Sequence, residues 1–175
     1  MNDSVQRLTN LLGVVALATM DRLRAPVESL AGHGGSAPAV LAHLLAHPGD
    51  SVEGLRGVLS ISQPATVRLV DRLVADGFLE RRPGPNRRTL ALVLTPTGRE
   101  TATRLLAARA DALTDMLGVL DEQEAGQLEA LLAKLTAPLA DDRPGALTVC
   151  RLCDRAACAE GPGCPLNHTV GDPCP

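Results

Sequence analysis

The chain has 175 residues, 45% of them apolar, and a net charge of -3, enough for one folded core with appendages. One phenylalanine and no tryptophan or tyrosine argue against the aromatic stacking platforms that hold single-stranded nucleic acid. No apolar run reaches membrane-spanning length without glycine or charge, and the start lacks a basic flank joined to a small-residue cleavage site, so the expectation is a cytoplasmic protein with no membrane partner.

The charge is unevenly spread. Residues 51–95 carry seven positive and four negative charges, whereas residues 96–140 carry four and seven. The basic charge is therefore local, which is the footprint that matters for nucleic acid.

In chain order, Gln6 to Leu30 reads as a long helix with Leu8, Leu11, Leu12, Val15, Leu17 and Leu23 on a broad apolar surface. Pro26 kinks or ends it. A helix this apolar crosses its own core or packs on a second subunit. Residues 31–37 form a loop. Pro38 to Ala46 is a short helix stopped by His47-Pro48-Gly49. His33, His43 and His47 read as solvent-facing or packing groups rather than metal ligands. Ser51 caps a helix to Leu59. Ser62 then caps a helix from Gln63 to Asp76, with Pro64 in its first turn and Gly77 as its left-handed stop. Val67, Val70, Leu73 and Val74 form its apolar side, while Arg68 and Arg72 share a face. Phe78 to Glu80 is extended. Arg81 to Arg88 is a turn-rich basic loop with four arginines, and Thr89 to Thr95 is a strand.

This order describes a mainly α (α+β) fold, a winged helix-turn-helix that grips double-stranded DNA; the alternatives are a metal- or redox-sensing regulator whose cysteine tail is the input site and a winged-helix interaction module that binds no DNA. Groove reading needs a rod with short polar groups at its front. The candidate DNA-binding residues are Ser62, Gln63, Ala65, Thr66, Arg68, Arg72, Arg82, Arg87 and Arg88. Gln63 suits adenine, the Thr66 methyl suits thymine, and Arg68 suits guanine or the backbone. Arg72 faces phosphate. Arg87 or Arg88 reaches the minor groove or its flanking phosphates, and at least one of Arg81 and Arg82 pairs with a carboxylate.

Thr97 to Val119 is a further helix, and Glu122 to Leu139 follows with Leu128, Leu131, Leu132 and Leu135 on its apolar side. Asp121 and Glu124 form a capping box. The divisions expected are residues 1–32 and 97–140 for dimerisation, 36–96 for DNA binding, and a cysteine-rich tail over 141–175. No phosphate-cradling glycine motif, nucleophile triad or paired-carboxylate signature appears, so the chain is not expected to be an enzyme.

The run Val67-Arg68-Leu69-Val70-Asp71-Arg72-Leu73, then Asp76-Gly77-Phe78-Leu79-Glu80-Arg81, Arg87-Arg88 and Leu94-Thr95-Pro96-Thr97-Gly98 resembles the MarR family of bacterial transcription regulators. The resemblance spans about Gln6 to Leu139. It implies a homodimer whose first and last helices intertwine, a palindromic site, and a repressor relieved by a small aromatic compound, an oxidant or a metal. One departure lies in Pro83-Gly84-Pro85-Asn86, where Pro85 replaces the family's wing-tip arginine.

The tail carries Cys150, Cys153, Cys158, Cys164 and Cys174, spaced C-x2-C-x4-C-x5-C-x9-C. Cys150, Cys153, Cys158 and Cys164 have the donor types for tetrahedral zinc, with His168 and Cys174 as alternates. An iron–sulfur cluster accepts the same thiolates, oxidation could pair them, and an unstructured tail would use none. With almost no apolar core material, the tail is expected to be disordered unless a metal or docking surface orders it.

Overall fold

The computed structural model describes residues 3–31, 35–84, 89–159 and 162–170. Helix α1 spans Asp3–Ala31, α2 Ala37–Ala46, α3 Val52–Leu59 and α4 Gln63–Ala75. Strands β1 (Leu79–Pro83) and β2 (Leu90–Leu94) make an antiparallel wing in which Leu79 faces Leu94 and Arg81 faces Leu92. Helix α5 covers Pro96–Leu117 and α6 covers Glu122–Thr136, followed by a 3₁₀ turn at Ala137–Leu139. Short helices α7 (Arg143–Val149), α8 (Arg155–Ala159) and α9 (Asn167–Val170) complete the chain. The helical fold with a two-stranded wing is the expected architecture. Helix α1 runs on through Pro26 instead of ending there.

Helix α2 is the hub. Every residue from Ala37 to Leu44 is buried, because α2 lies among α1, α3, α5 and β2. The main core joins Val40, Leu41 and Leu44 of α2 to Leu55 and Leu59 of α3, Leu69, Val70 and Leu73 of α4, and Leu79 and Leu92 of the wing.

Local chemistry sets the element ends. Ser51 accepts a hydrogen bond from the Gly54 N–H at 3.1 Å. Asp121 and Glu124 make the reciprocal capping box. Helix α4 ends in a Schellman motif. Gly77 has φ +77°, its N–H donates to Val74, and the Phe78 N–H donates to Leu73 at 2.9 Å. Ser62 has the extended backbone of a cap, but its side chain makes no cap hydrogen bond.

Two separated pieces of sequence meet where the wing closes. The Thr95 N–H donates to Phe78 O at 3.0 Å, and the Thr95 hydroxyl donates to Gly77 O at 2.6 Å. The same hydroxyl oxygen accepts from the Gly98 N–H at 3.0 Å, which caps α5. Gly98 is required because a Cβ there would lie 2.0 Å from Phe78 O. The Gly77-Phe78 and Thr95-to-Gly98 phrases are thus two halves of one backbone joint.

Candidate nucleic-acid interface

Helix α4 divides cleanly. Thr66, Leu69, Val70 and Leu73 are buried beneath it. Ser62, Gln63, Pro64, Val67, Arg68, Asp71 and Arg72 are exposed on the other side, and Ala65 is half-buried. Arg68 and Arg72 make no ion pair or hydrogen bond among the described residues, so both guanidiniums are available to an anion.

The structure corrects one expected reader. Thr66 is 0% exposed, and its hydroxyl donates to Ser62 O at 3.1 Å, so it is a packing residue and cannot reach a groove. Val67, expected in the core, is 37% exposed on the outer face. Val70 and Leu73 are buried as expected, so the apolar side of α4 is turned by about 60°, less than one residue's 100° step, from the side read in the sequence. Valine and threonine are nearly isosteric, and here hydropathy assigned them to the wrong sides.

The wing arginines also differ from expectation. Arg81 and Arg82 lie on β1 itself, not in a loop. Arg81 pairs with Asp71 of α4 at 2.5 Å, tying the wing to the helix beside it. Arg82 pairs with Glu80, so its use on DNA requires exchange of that carboxylate for phosphate. Arg87, Arg88 and Pro85 lie outside the described residues.

Beneath the interface sits a joint that sequence reading missed. The Gly49 N–H donates to Leu92 O, and the Leu92 N–H donates to Asp50 O, both at 2.9 Å. The α2–α3 turn therefore covers the outer edge of β2. The Asp50 carboxylate meets His43 Nε2 at 2.9 Å and accepts from the Ser51 N–H at 2.7 Å. Burial pushes this carboxyl up, but the hydrogen bonds from His43 and Ser51 outweigh it and hold it below the usual aspartate range. Asp50 thus links α2, α3 and the wing. The signal was His43 and Asp50 seven residues apart across a tight turn, a spacing that is undiagnostic without the fold.

His47 stacks on His43 with ring centroids 4.6 Å apart. Burial, then the positive charge of Arg155 and the neighbouring His43, lower the His47 pKa to about 4. A histidine with a depressed folded pKa takes up its proton more readily in the unfolded chain. Stability should therefore fall as pH drops from about 6.5 toward 4. Urea unfolding at several pH values checks this, and His47→Gln should flatten the dependence across that window.

The tail is not a free appendage. Helix α7 packs on α3, and the Thr148 hydroxyl meets Gly57 O at 3.3 Å. Leu152 packs against the main core. Ala140, Ala146, Cys164 and Leu166 form a second small core, against which Cys150 packs. The Cys150 and Cys158 thiols donate to the Cys153 sulfur. The Cys150 bond, with burial opposing it and Arg109 and Arg155 adding positive charge, brings Cys153 down to about 6. The structure thus gathers Cys150, Cys153 and Cys158, and places Cys164 in the patch that Cys150 touches. His168 is exposed, and Cys174 lies outside the described residues. Among the described residues, no group of three or more histidine, cysteine or acidic side chains is arranged to hold a metal ion as it stands.

Residues 34–88 match the model of the MarR family. Over these residues the winged-helix lobe is similar to that family. A cysteine-to-serine mutant of MarR from Escherichia coli superposes with a TM-score of 0.62 at 26% identity, over 73% of this chain and 95% of that one. YusO from Bacillus subtilis gives a TM-score of 0.66 at 23% identity, over 79% and 99%. The same MarR mutant complexed with operator DNA gives 0.55 at 24%, over 77% and 96%. The curated proteins contain no match. The MarR-type match ends at residue 88, so the cysteine tail lies outside it. Among the described residues, no helix is long and apolar enough to cross a membrane.

Proposed function

We propose that the chain is a homodimeric regulator of the MarR type that binds double-stranded DNA at a near-palindromic site and represses transcription. The carrying observation is the exposed face of α4, where Gln63, Arg68 and Arg72 stand without an ion pair among the described residues on a helix anchored from beneath by four buried side chains. A helix rigidly backed in this way fits the major groove, with Gln63 matched to adenine and Arg68 to guanine. Val67 takes the thymine-methyl role first considered for Thr66. Arg72 reaches phosphate. The operator complex of the related MarR mutant supports the same mode of use, and likeness to regulators of this kind carries the reading that the chain is not an enzyme.

The dimer rests on uncovered apolar surface. Val5, Leu8, Leu11, Leu12, Val14, Val15 and Leu17 of α1 are all at least 47% exposed. Helix α6 buries no residue at all, yet carries Leu131, Leu132 and Leu135 in one stripe. Such faces on α1 and α6 call for a partner, and a second copy would bring two α4 helices to successive major grooves, roughly 34–36 Å apart.

The direct test is salt-dependent binding to duplexes from the gene's own upstream region. Specific, salt-sensitive binding to a palindrome is expected, and a salt-independent or absent interaction overturns the reading. Arg68→Ala should cost about 1–3 kcal/mol and relax preference at one base pair. Arg72→Ala should weaken all sequences alike and lower the slope of log K against log salt by about 1. Fluorescence anisotropy across a salt series separates the two.

A further inference from the structure

We propose that Arg81 of the wing is a positioning residue for base reading: by holding the Asp71 carboxylate, it keeps that carboxylate off Arg68 and leaves the Arg68 guanidinium free for a base. Its effect at the operator rests on the DNA-binding reading, whereas the competition between the side chains does not. Three observations converge on it. The first is the spacing on α4. Gln63, Val67 and Asp71 are exposed on successive turns of one face, so a carboxylate stands on the side that would meet DNA. Residues three apart on a helix are neighbours, and Arg68 precedes Asp71 by three. Left to the helix alone, Asp71 would take Arg68 as its partner.

The second observation is that this local pair is not made. Asp71 Oδ1 accepts from Arg81 Nη2 at 2.5 Å, ten residues further along the chain. Arg68 makes no ion pair among the described residues. An unheld carboxylate here would oppose recognition twice. It would repel phosphate, and it would occupy the planar fork that meets guanine O6 and N7. Arg81 removes both effects without itself standing on the reading helix.

The third is the way the fold delivers Arg81. Side chains alternate along a strand. Leu79 of β1 is buried in the main core, and Arg81, two residues on, shares its face while α4 packs on β1. Arg82 falls on the other face with Glu80 and pairs there. The backbone at Arg81 is fixed through its neighbour strand. Arg81 lies opposite Leu92, which is fully buried and bonded through both its N–H and its carbonyl to the α2–α3 turn. The Arg81 side chain is 32% exposed, against 60% for Arg82. Of the two wing pairs, the one with Asp71 is therefore the better shielded from water and salt.

The test compares full-length wild type with Arg81→Ala, Arg81→Lys, Asp71→Ala and the Asp71→Ala/Arg81→Ala double variant. At the operator, Arg81→Ala should lower affinity by roughly fivefold, the upper end for one exposed charge pair. It should also relax preference at the base pair that Arg68 reads. The double variant should recover that preference, because no carboxylate remains to take Arg68, and Arg81→Lys should retain it. Asp71→Ala alone should raise affinity for all sequences alike. The competition is also read without DNA. Nitrogen-15 NMR of the Arg68 guanidinium should show slowed rotation about the Nε–Cζ bond in Arg81→Ala. Fast rotation is expected in wild type and in the double variant. An equal loss for every sequence, with no recovery in the double variant, would make Arg81 a phosphate contact or a plain structural bridge and overturn the proposal. An Arg68 guanidinium that rotates freely in Arg81→Ala would overturn it as well. A wild-type protein that binds no operator would sink the regulatory reading instead, and the NMR comparison would still decide whether Arg81 keeps Arg68 free.

Discussion

Leu12→Glu in α1, or Leu132→Glu in α6, should turn the protein into a monomer and lower operator affinity by two orders of magnitude or more. Leu12 is 52% exposed and Leu132 is 47% exposed in the single chain. Neither contributes to the core around α2, so a charge at either position leaves the lobe folded. In the proposed dimer, each glutamate would enter an apolar contact and lose its hydration without a partner. The affinity follows from linkage. Two reading heads on one rigid body make the second contact intramolecular, a gain of about 10²–10⁴ that a monomer forfeits. Sedimentation measures the first effect, and anisotropy at fixed salt measures the second. A Leu12→Glu/Leu132→Glu double variant that remains dimeric with wild-type affinity would remove α1 and α6 from the interface.

The second large effect concerns stability. Gly98→Ala should destabilise the lobe by about 3 kcal/mol, the upper end for forced overpacking. The added Cβ would fall 2.0 Å from a backbone carbonyl, Phe78 O. That oxygen is held by the Thr95 N–H and sits beside the Thr95 hydroxyl cap of α5. Relief would require either the wing closure or the start of α5 to move. Gly57→Ala is the control. Its Cβ meets nothing within 4 Å, so in α3 it should gain up to about 1 kcal/mol from helix propensity and reduced unfolded-state entropy. Urea unfolding monitored by circular dichroism should show opposite signs. Equal stability of Gly98→Ala and wild type would mean that the joint is looser than its contacts indicate.

Much of the architecture was legible because it is written in short-range chemistry. Ser51, Gly77 and the Asp121/Glu124 box act within four residues of themselves. Caps, stops and apolar spacing located α2, α3 and α4, the three helices of the lobe. The candidate interface was legible in part. Arg68 and Arg72 face outward as expected, but the phase of α4 was misread at Thr66 and Val67. Both are β-branched and similar in size, and only the position of the core beneath α4 says which one is covered. A carboxylate partner for Arg81 or Arg82 was expected, but only the placement of β1 beside α4 showed that Asp71 takes Arg81 while Glu80 takes Arg82.

By itself, the sequence determined the order of elements through α6, the caps at Ser51 and Asp121 and the local basic charge, since each depends on neighbours along the chain. Only the tertiary structure decided the rest. It made Asp50 the link between α2, α3 and the wing. It turned Thr66 inward, and it folded the cysteine segment against α3. Each of these contacts joins an element to a partner chosen by packing, and a local pattern carries no record of which distant surface will lie against it.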